Sequence, residues 1–320
     1  MLTTYIHKPC RNQPSACCTT DLEDDCILSP HSAYVTVSLK AGSQSWGCVA
    51  MAGLEMHQIV DLERYPIDQL DSPRGASLVD SCRAALDDNA LCALPGFVFP
   101  TVVAKMARQA EALLATSYRY DAPRMAYYPD GKEWPSDHPR AIEHSCRYHQ
   151  ALNYQIPNDS LVRTVYLWPQ LSEFVRLVLG YETLFRSDCP HLALTVQFAG
   201  DGDQNGWHFD GNDAVFSLLL QEPSAGGAFE YAPYIRSSSE ENYEAVARVV
   251  ADPDTHAVRP PISAGTFTLF KGDLSLHRVA PVAGDRRRII ALFSYDREPG
   301  QVFPQYYIEE LHGYQQGVCA

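Results

Sequence analysis

The hydrophobic period of the chain changes near residue 190, and this change constrains the fold more than any other feature. Five short apolar segments follow, each bounded by Gly, Asp, Pro or Ser residues, at 191–199, 214–221, 227–233, 265–272 and 287–296. Short strands separated by turn residues are typical of an antiparallel sandwich or barrel. The second half of the chain therefore predicts a β-rich core over about residues 190–298.

The first half shows helical spacing instead. Ser72 and Pro73 supply a capping hydroxyl and a proline for the first helical position, and apolar residues recur at helical spacing after them. Further helices are predicted after Phe99 and over 161–179, whereas weak periodicity over 118–155 predicts a long loop. A helical front over about residues 72–180 and a β-rich core together predict an α+β fold.

The opening of the chain differs from the rest. Residues 1–55 show no sustained helical or strand period. We therefore expect a loosely ordered extension over 1–55 and one domain over 56–320.

Charge and hydropathy exclude several classes of partner. The chain of 320 residues has 39 acidic and 25 basic residues, a formal net charge of -14, so it offers no basic surface for nucleic acid or for an anionic membrane. No apolar run approaches the roughly 18 residues of a membrane-spanning helix. We expect a cytoplasmic protein whose partner is a small molecule. The sequence gives no oligomeric state.

One short motif places metal-binding side chains together. On a strand, residues two apart face the same side, so His208 and Asp210 can bind one ion. His277 follows a later predicted strand and is the third candidate. Two histidines and one carboxylate form the facial triad of non-haem Fe(II) oxygenases. His-x-Asp alone would more often be a surface histidine beside a turn aspartate, so the sequence around the third ligand decides.

That surrounding sequence carries a family resemblance. His277 lies in LHRVAPV, which is followed by GDRRR and the strand IIALFSY, and here the chain resembles the Fe(II)/2-oxoglutarate-dependent dioxygenases. The resemblance implies a double-stranded β-helix (jelly-roll) core. It also implies that Fe(II), 2-oxoglutarate and O2 are used, and that His208, Asp210 and His277 are the catalytic metal ligands.

The same resemblance implies a basic residue that pairs with the distal carboxylate of 2-oxoglutarate, a task suited to a guanidinium. Spacing from His277 favours Arg286, and then Arg288, which would share its face of the strand. Arg287 is expected to point away into solvent.

A narrower resemblance covers roughly residues 60–300 and includes ALPGFVFP, QFAGDGDQNGWHFD and LLLQEPSAGGAFEYAP. These segments are similar to the free amino-acid radical halogenases and related hydroxylases. The halogenases have glycine where this chain has Asp210, so the resemblance implies oxygen insertion. The candidate substrate residues are Asn205, Trp207, His191, Ser294 and Arg147.

The predicted activity is therefore hydroxylation of an unactivated C–H bond in a small molecule, a free amino acid or a derivative. Two alternatives stay open at this point. One is a desaturase or cyclase of the same superfamily, and the other is a non-catalytic β-sandwich binding protein that retains a metal.

Overall fold

The computed structural model describes residues 54–127, 133–211, 215–305 and 308–309. All of them lie in one compact unit, residues 52–320. The predicted extension 1–55 falls outside the described residues except for its last two, so the extension and the domain boundary at residue 56 stay predictions.

Two of the helices precede the first strand in the chain, and the others lie between later strands. They are α1 (Met56–Ile59), α2 (Pro73–Asn89), α3 (Pro100–Glu111), α4 (Leu161–Tyr166), α5 (Pro169–Leu179), α6 (Tyr243–Ala251) and α7 (Pro253–His256). α2 begins as predicted, because the Ser72 hydroxyl accepts a hydrogen bond from the Gly75 N–H and Pro73 takes the first position. Gly180 ends α5 in the left-handed conformation, at φ 69°.

The strands are β1 (Leu91–Leu94), β2 (Tyr118–Met125), β3 (Glu143–Ala151), β4 (Phe185–Arg186), β5 (Leu194–Ala199), β6 (Gln204–His208), β7 (Val215–Gln221), β8 (Ala225–Gly226), β9 (Phe229–Ala232), β10 (Phe267–Phe270), β11 (Leu276–Val279), β12 (Val282–Ala283), β13 (Arg288–Phe293) and β14 (Tyr295–Asp296). The five predicted strand segments correspond to β5, β7, β9, β10 and β13 with β14, so these predictions are confirmed.

The main sheet is antiparallel and has two parts. We call β1, β10, β7, β13 and β5, paired in that order, the large wing, and β6, β11 and β9 the small wing. β3 joins them, because its residues 149–151 pair with β5 while Cys146 and Arg147 pair with β6. This curled antiparallel sheet with helices confirms the predicted α+β jelly-roll fold.

The loop predicted over residues 118–155 is wrong. β2 and β3 form an antiparallel pair with continuous register from Tyr118 opposite Gln150 to Met125 opposite Glu143. The buried positions of β3 include Cys146, Tyr148 and Gln150. They alternate as a strand requires, but two of the three carry polar atoms, so a search for apolar periodicity misses them.

The main core lies on the outer face of the large wing. Phe198, Ile289, Ala291 and Phe293 alternate toward that face and pack in one buried cluster with side chains from the helices. The residues between them therefore face the interior of the curled sheet. Among the described residues, no helix is both long and apolar enough to cross a membrane.

Candidate metal centre and active site

Three metal-binding side chains meet on the small wing. His208 ends β6 and lies directly opposite His277 of β11, and Asp210 follows two residues after His208. The Nε2 atom of His277 is 3.4 Å from Oδ2 of Asp210, and that of His208 is 3.7 Å from Oδ1. One ligand atom from each residue falls within 4.8 Å of the other two. The fold thus brings together the three ligands that the sequence predicts.

Backbone carbonyls orient both histidines. Nδ1 of His208 is 2.7 Å from the Gly206 oxygen, and Nδ1 of His277 is 3.0 Å from the Ser275 oxygen. Because a carbonyl only accepts, each Nδ1 is the donor, which leaves the Nε2 lone pair free for a metal. Burial, together with the nearby charge of Arg124, lowers the pKa of His208 well below its usual value near 6.5. The ring is therefore neutral, as a ligand must be.

The carboxylate of Asp210 supports the same assignment. Its Oδ2 atom is buried and has no hydrogen-bond partner among the described residues. A buried carboxylate oxygen without a donor is costly unless a cation binds it. Two imidazoles and one carboxylate on one face fit Fe(II), and they leave other coordination positions open.

Comparisons with known proteins agree with this geometry. A family model described as Halogenase D matches residues 75–301. The chain belongs to the Halogenase D family. Family membership and the donor set together confirm the prediction of an enzyme of the Fe(II)- and 2-oxoglutarate-dependent oxygenase class, with O2 as co-substrate. Among the curated proteins, none matches the chain.

Several solved structures resemble this Halogenase D family member at low identity. AviO1 from Streptomyces viridochromogenes Tue57 is 13% identical, with 70% of this chain and 97% of AviO1 covered and a TM-score of 0.49. The non-heme alpha ketoglutarate dependent epimerase SnoN from nogalamycin biosynthesis is 15% identical, with 69% and 83% covered and a TM-score of 0.47. A Pseudomonas putida prolyl-4-hydroxylase is 14% identical, with 68% and 98% covered and a TM-score of 0.40.

A bulge places Asn205 beside the ligands of this Halogenase D family member. His277 pairs with His208, but Val279, two residues on, pairs with Asn205, three residues back. The extra residue on β6 reverses the ordinary alternation, so Asn205 and His208 share one face. The side-chain oxygen of Asn205 is buried, and no described residue donates a hydrogen bond to it. The resemblance implies that Asn205 contacts the substrate, and this role stays a prediction.

A small pocket that opens to solvent lies between the two wings. Its lining residues come from both wings and from β3, and they are Tyr148, Gln197, Ala199, Gln204, Asn205, Val279 and Arg288. Val279 is two residues beyond His277 on β11, so the pocket and His277 lie on one face of the sheet.

The three consecutive arginines differ sharply in burial. Arg288 begins β13 opposite Ala199 and is 8% exposed, whereas Arg286 and Arg287 are exposed. Burial lowers the pKa of Arg288 to about 10, which still leaves its guanidinium charged at neutral pH. Arg286 lies in the turn before β13, where its backbone N–H donates to the Ser224 hydroxyl. Because the strand starts only at Arg288, the face shared by alternate strand residues does not extend back to Arg286.

The four other predicted substrate residues do not line this pocket. Trp207 faces away from His208, with the Arg278 guanidinium 4.7 Å from its ring centroid. Arg147 donates through Nη2 to the Gly202 oxygen at 2.6 Å, which ties it to the turn between β5 and β6. Ser294 and His191 lie toward the opposite end of β13 and β5 from Arg288, and Ser294 donates to the Leu192 oxygen at 2.8 Å.

Two aromatic residues beside the metal ligands were not assigned to the site from the sequence. The ring centroids of Phe270 and Phe229 are 4.9 Å and 5.8 Å from that of His277. Phe229 and Tyr231 alternate on β9, a pattern that indicates core packing. Only the cross-strand register of β9 with β11 reveals that Phe229 and His277 share a face.

Proposed function

We propose that this protein is an Fe(II)- and 2-oxoglutarate-dependent hydroxylase that acts on an unactivated C–H bond of a small molecule related to a free amino acid. The observation that carries the proposal is the convergence of His208, Asp210 and His277, with both histidine rings held in the metal-binding tautomer. In this proposal the three side chains hold the iron. When bound, Fe(II) would allow O2 to oxidise a C–H bond of the substrate while 2-oxoglutarate is consumed.

Arg288 is the better candidate for the distal carboxylate of 2-oxoglutarate. It is buried, charged at neutral pH and lines the pocket on the face of the sheet that carries His277, whereas Arg286 is exposed. A buried guanidinium can give a carboxylate two parallel charge-assisted hydrogen bonds. This order of preference reverses the one that spacing from His277 suggests.

Asn205 is the proposed contact to the substrate. Its unsatisfied side-chain oxygen would accept an N–H from an ammonium or amide group, which an amino-acid-like molecule carries. Its place on the face of His208 would put that group close to the reacting position.

Oxygen insertion rather than halogenation follows from Asp210. A carboxylate on the metal fills a position that a halide would otherwise take and adds negative charge that disfavours anion binding. The family name alone describes halogenases, so the retained carboxylate is the feature that distinguishes this proposal.

The test is anaerobic reconstitution with Fe(II) and 2-oxoglutarate, followed by O2 and a panel of free amino acids in the presence of excess chloride. Mass spectrometry should show succinate and a product heavier by one oxygen. Asp210→Ala protein is the matched control and should give neither. A chlorine isotope doublet, or no consumption of 2-oxoglutarate with any substrate, would overturn the proposal.

A further inference from the structure

A short turn contacts the carboxylate ligand Asp210. Residues 271–275 connect β10 to β11, and the Gly272 oxygen accepts a hydrogen bond of 3.0 Å from the Asp210 N–H. A Cβ atom at position 272 would overlap Oδ2 of Asp210 and would lie 2.7 Å from Cγ and 3.1 Å from Cβ of the same residue. The Asp210 carboxylate therefore occupies the space that a side chain at position 272 would need.

The glycine is required by space and not by backbone conformation. Gly272 lies outside the left-handed region, in contrast to Gly265 at φ 87° just before β10. An L-residue could adopt the backbone angles of Gly272 without strain. The three atoms nearest to a methyl group at position 272 would all belong to the Asp210 side chain. The closest approach thus concerns the side chain of the carboxylate ligand.

Arg236 holds the same turn in place. Its Nε donates to the Asp273 oxygen at 2.6 Å, and its backbone N–H donates to the Leu274 oxygen at 3.3 Å. The guanidinium carbon lies 3.9 Å from the centroid of Phe209, the residue between two of the metal ligands. Arg236 therefore contacts both the turn and the strand end that the turn supports.

A carboxylate fixes this guanidinium in turn. Nη1 of Arg236 lies 3.2 Å from Oε2 of Glu241, and the other oxygen of Glu241 pairs with Arg140 at 3.2 Å. A guanidinium with several hydrogen bonds in fixed directions is more rigid than one with a single contact. Rigid support of this kind is what holds a ligand in the correct geometry.

We propose that Gly272 and Arg236 are positioning residues that form a cradle for Asp210 and hold its carboxylate at the metal. Gly272 provides the space, and Arg236 fixes the turn that borders it. The proposal rests on the proposed function in one respect, since it takes Asp210 as a metal ligand. It predicts that metal binding depends on the turn after β10 as well as on the ligand itself.

The first test uses Co²⁺ binding to the full-length protein, followed by its absorption spectrum, with Gly272→Ala and Gly211→Ala. Gly272→Ala should weaken Co²⁺ binding by roughly 10- to 100-fold, the range found when groups that support a ligand are lost. Gly211→Ala is the matched control, because no atom of the described residues lies within 4 Å of a methyl group there, and it should bind Co²⁺ as wild type does. Equal affinity for Gly272→Ala and wild type would overturn the proposal.

The second test asks whether the overlap is with Asp210 itself. Gly272→Ala should lower Tm by roughly 4 °C or more in the wild-type background, and by much less in an Asp210→Gly background. If Gly272→Ala fails to fold, the double variant should still fold. An equal loss in both backgrounds would show that the methyl group meets something other than the carboxylate, and the cradle would be wrong.

The third test concerns Arg236. Arg236→Met keeps an apolar stem against Phe209 but removes the hydrogen bond to the Asp273 oxygen, so Co²⁺ binding should weaken by about 10-fold. Arg248→Met removes an arginine whose side chain is 60% exposed, and it should leave binding unchanged. Equal binding by both variants would remove Arg236 from the cradle.

These outcomes separate the cradle from the proposed function. If His208→Ala loses Co²⁺ binding while Gly272→Ala binds Co²⁺ as wild type does, the assignment of the metal site stands and the cradle is wrong. Conversely, the loss of Tm in Gly272→Ala should still depend on Asp210 even if the protein oxidised no substrate.

Discussion

The two wings of the sheet use their side chains in different ways. The large wing buries Phe198, Ile289 and Phe293 against the helices on its outer face, and these contacts are apolar. The small wing also has an apolar cluster, which includes Trp207 and Leu276, but its Glu230, 2% exposed, lies between Arg278 and Arg259, each at 2.6 Å. The small wing carries His208 and His277, and Asp210 lies just beyond the end of β6, whereas the large wing contributes Arg288. We therefore expect substitutions in the apolar core of the large wing to lower stability more than metal binding, and substitutions of the ligands to do the reverse.

The largest expected effect is on turnover alone. His277→Ala removes one of three ligands, so 2-oxoglutarate-dependent succinate formation should fall below about 1% of wild type. The fold should persist, because the large wing and its helices form a core without His277. Succinate assays and thermal unfolding measure the two properties, with His256→Ala, an exposed histidine on α7, as the control. Appreciable turnover by His277→Ala would contradict the ligand assignment.

Phe293→Ala should produce the converse result. Phe293 is 1% exposed and its ring contacts those of Tyr166 and Phe267, so its removal should cost about 3–5 kcal/mol of unfolding free energy. Denaturant titration measures this cost, and Phe185→Ala, which is 38% exposed, should cost much less. Co²⁺ affinity of the folded Phe293→Ala protein should match wild type. A parallel loss of metal affinity would show that the two wings are not independent.

Arg288 belongs to the large wing but lines the pocket, so Arg288→Ala tests whether the large wing contributes to cofactor binding. Loss of a charge-assisted pair worth about 1.5–3 kcal/mol should raise the KM for 2-oxoglutarate roughly 10- to 150-fold. Arg287→Ala, an exposed neighbour on the chain, should change KM little. An effect carried by Arg286→Ala instead would restore the assignment that spacing favoured.

The sequence could predict the parts of this molecule that depend on local pattern. Alternation located the strands, and His208, Asp210 and His277 follow from a motif in which spacing along a strand determines which residues share a face. Register across strands could not be predicted in this way. The bulge that turns Asn205 toward His208 and the start of β13 at Arg288 both depend on pairing partners that are far away in the sequence.

The cradle around Asp210 was missed for a related reason. A glycine between a strand and a turn is an ordinary punctuation residue, and nothing local in KGD distinguishes Gly272 from other turn glycines. Its role depends on the Asp210 side chain, which is far from it in the sequence. The same applies to β2 and β3, whose polar buried positions show no apolar pattern.

The smallest expected effect is a pH dependence of the stability, which arises from a histidine next to the small wing. His144 lies on β3, and burial, helped by the charges of Arg124 and Arg278, lowers its pKa to about 4. Between about pH 6.5 and 4 the unfolded chain binds a proton at this histidine and the folded protein does not, so stability should fall as the pH falls through that range. The slope from this one group is at most about 1.4 kcal/mol per pH unit. Denaturant titrations of metal-free protein at several pH values should show a shallower slope for His144→Gln than for wild type. Phe293→Ala should instead lower stability equally at every pH, and an equal slope in His144→Gln and wild type would exclude His144 as the source.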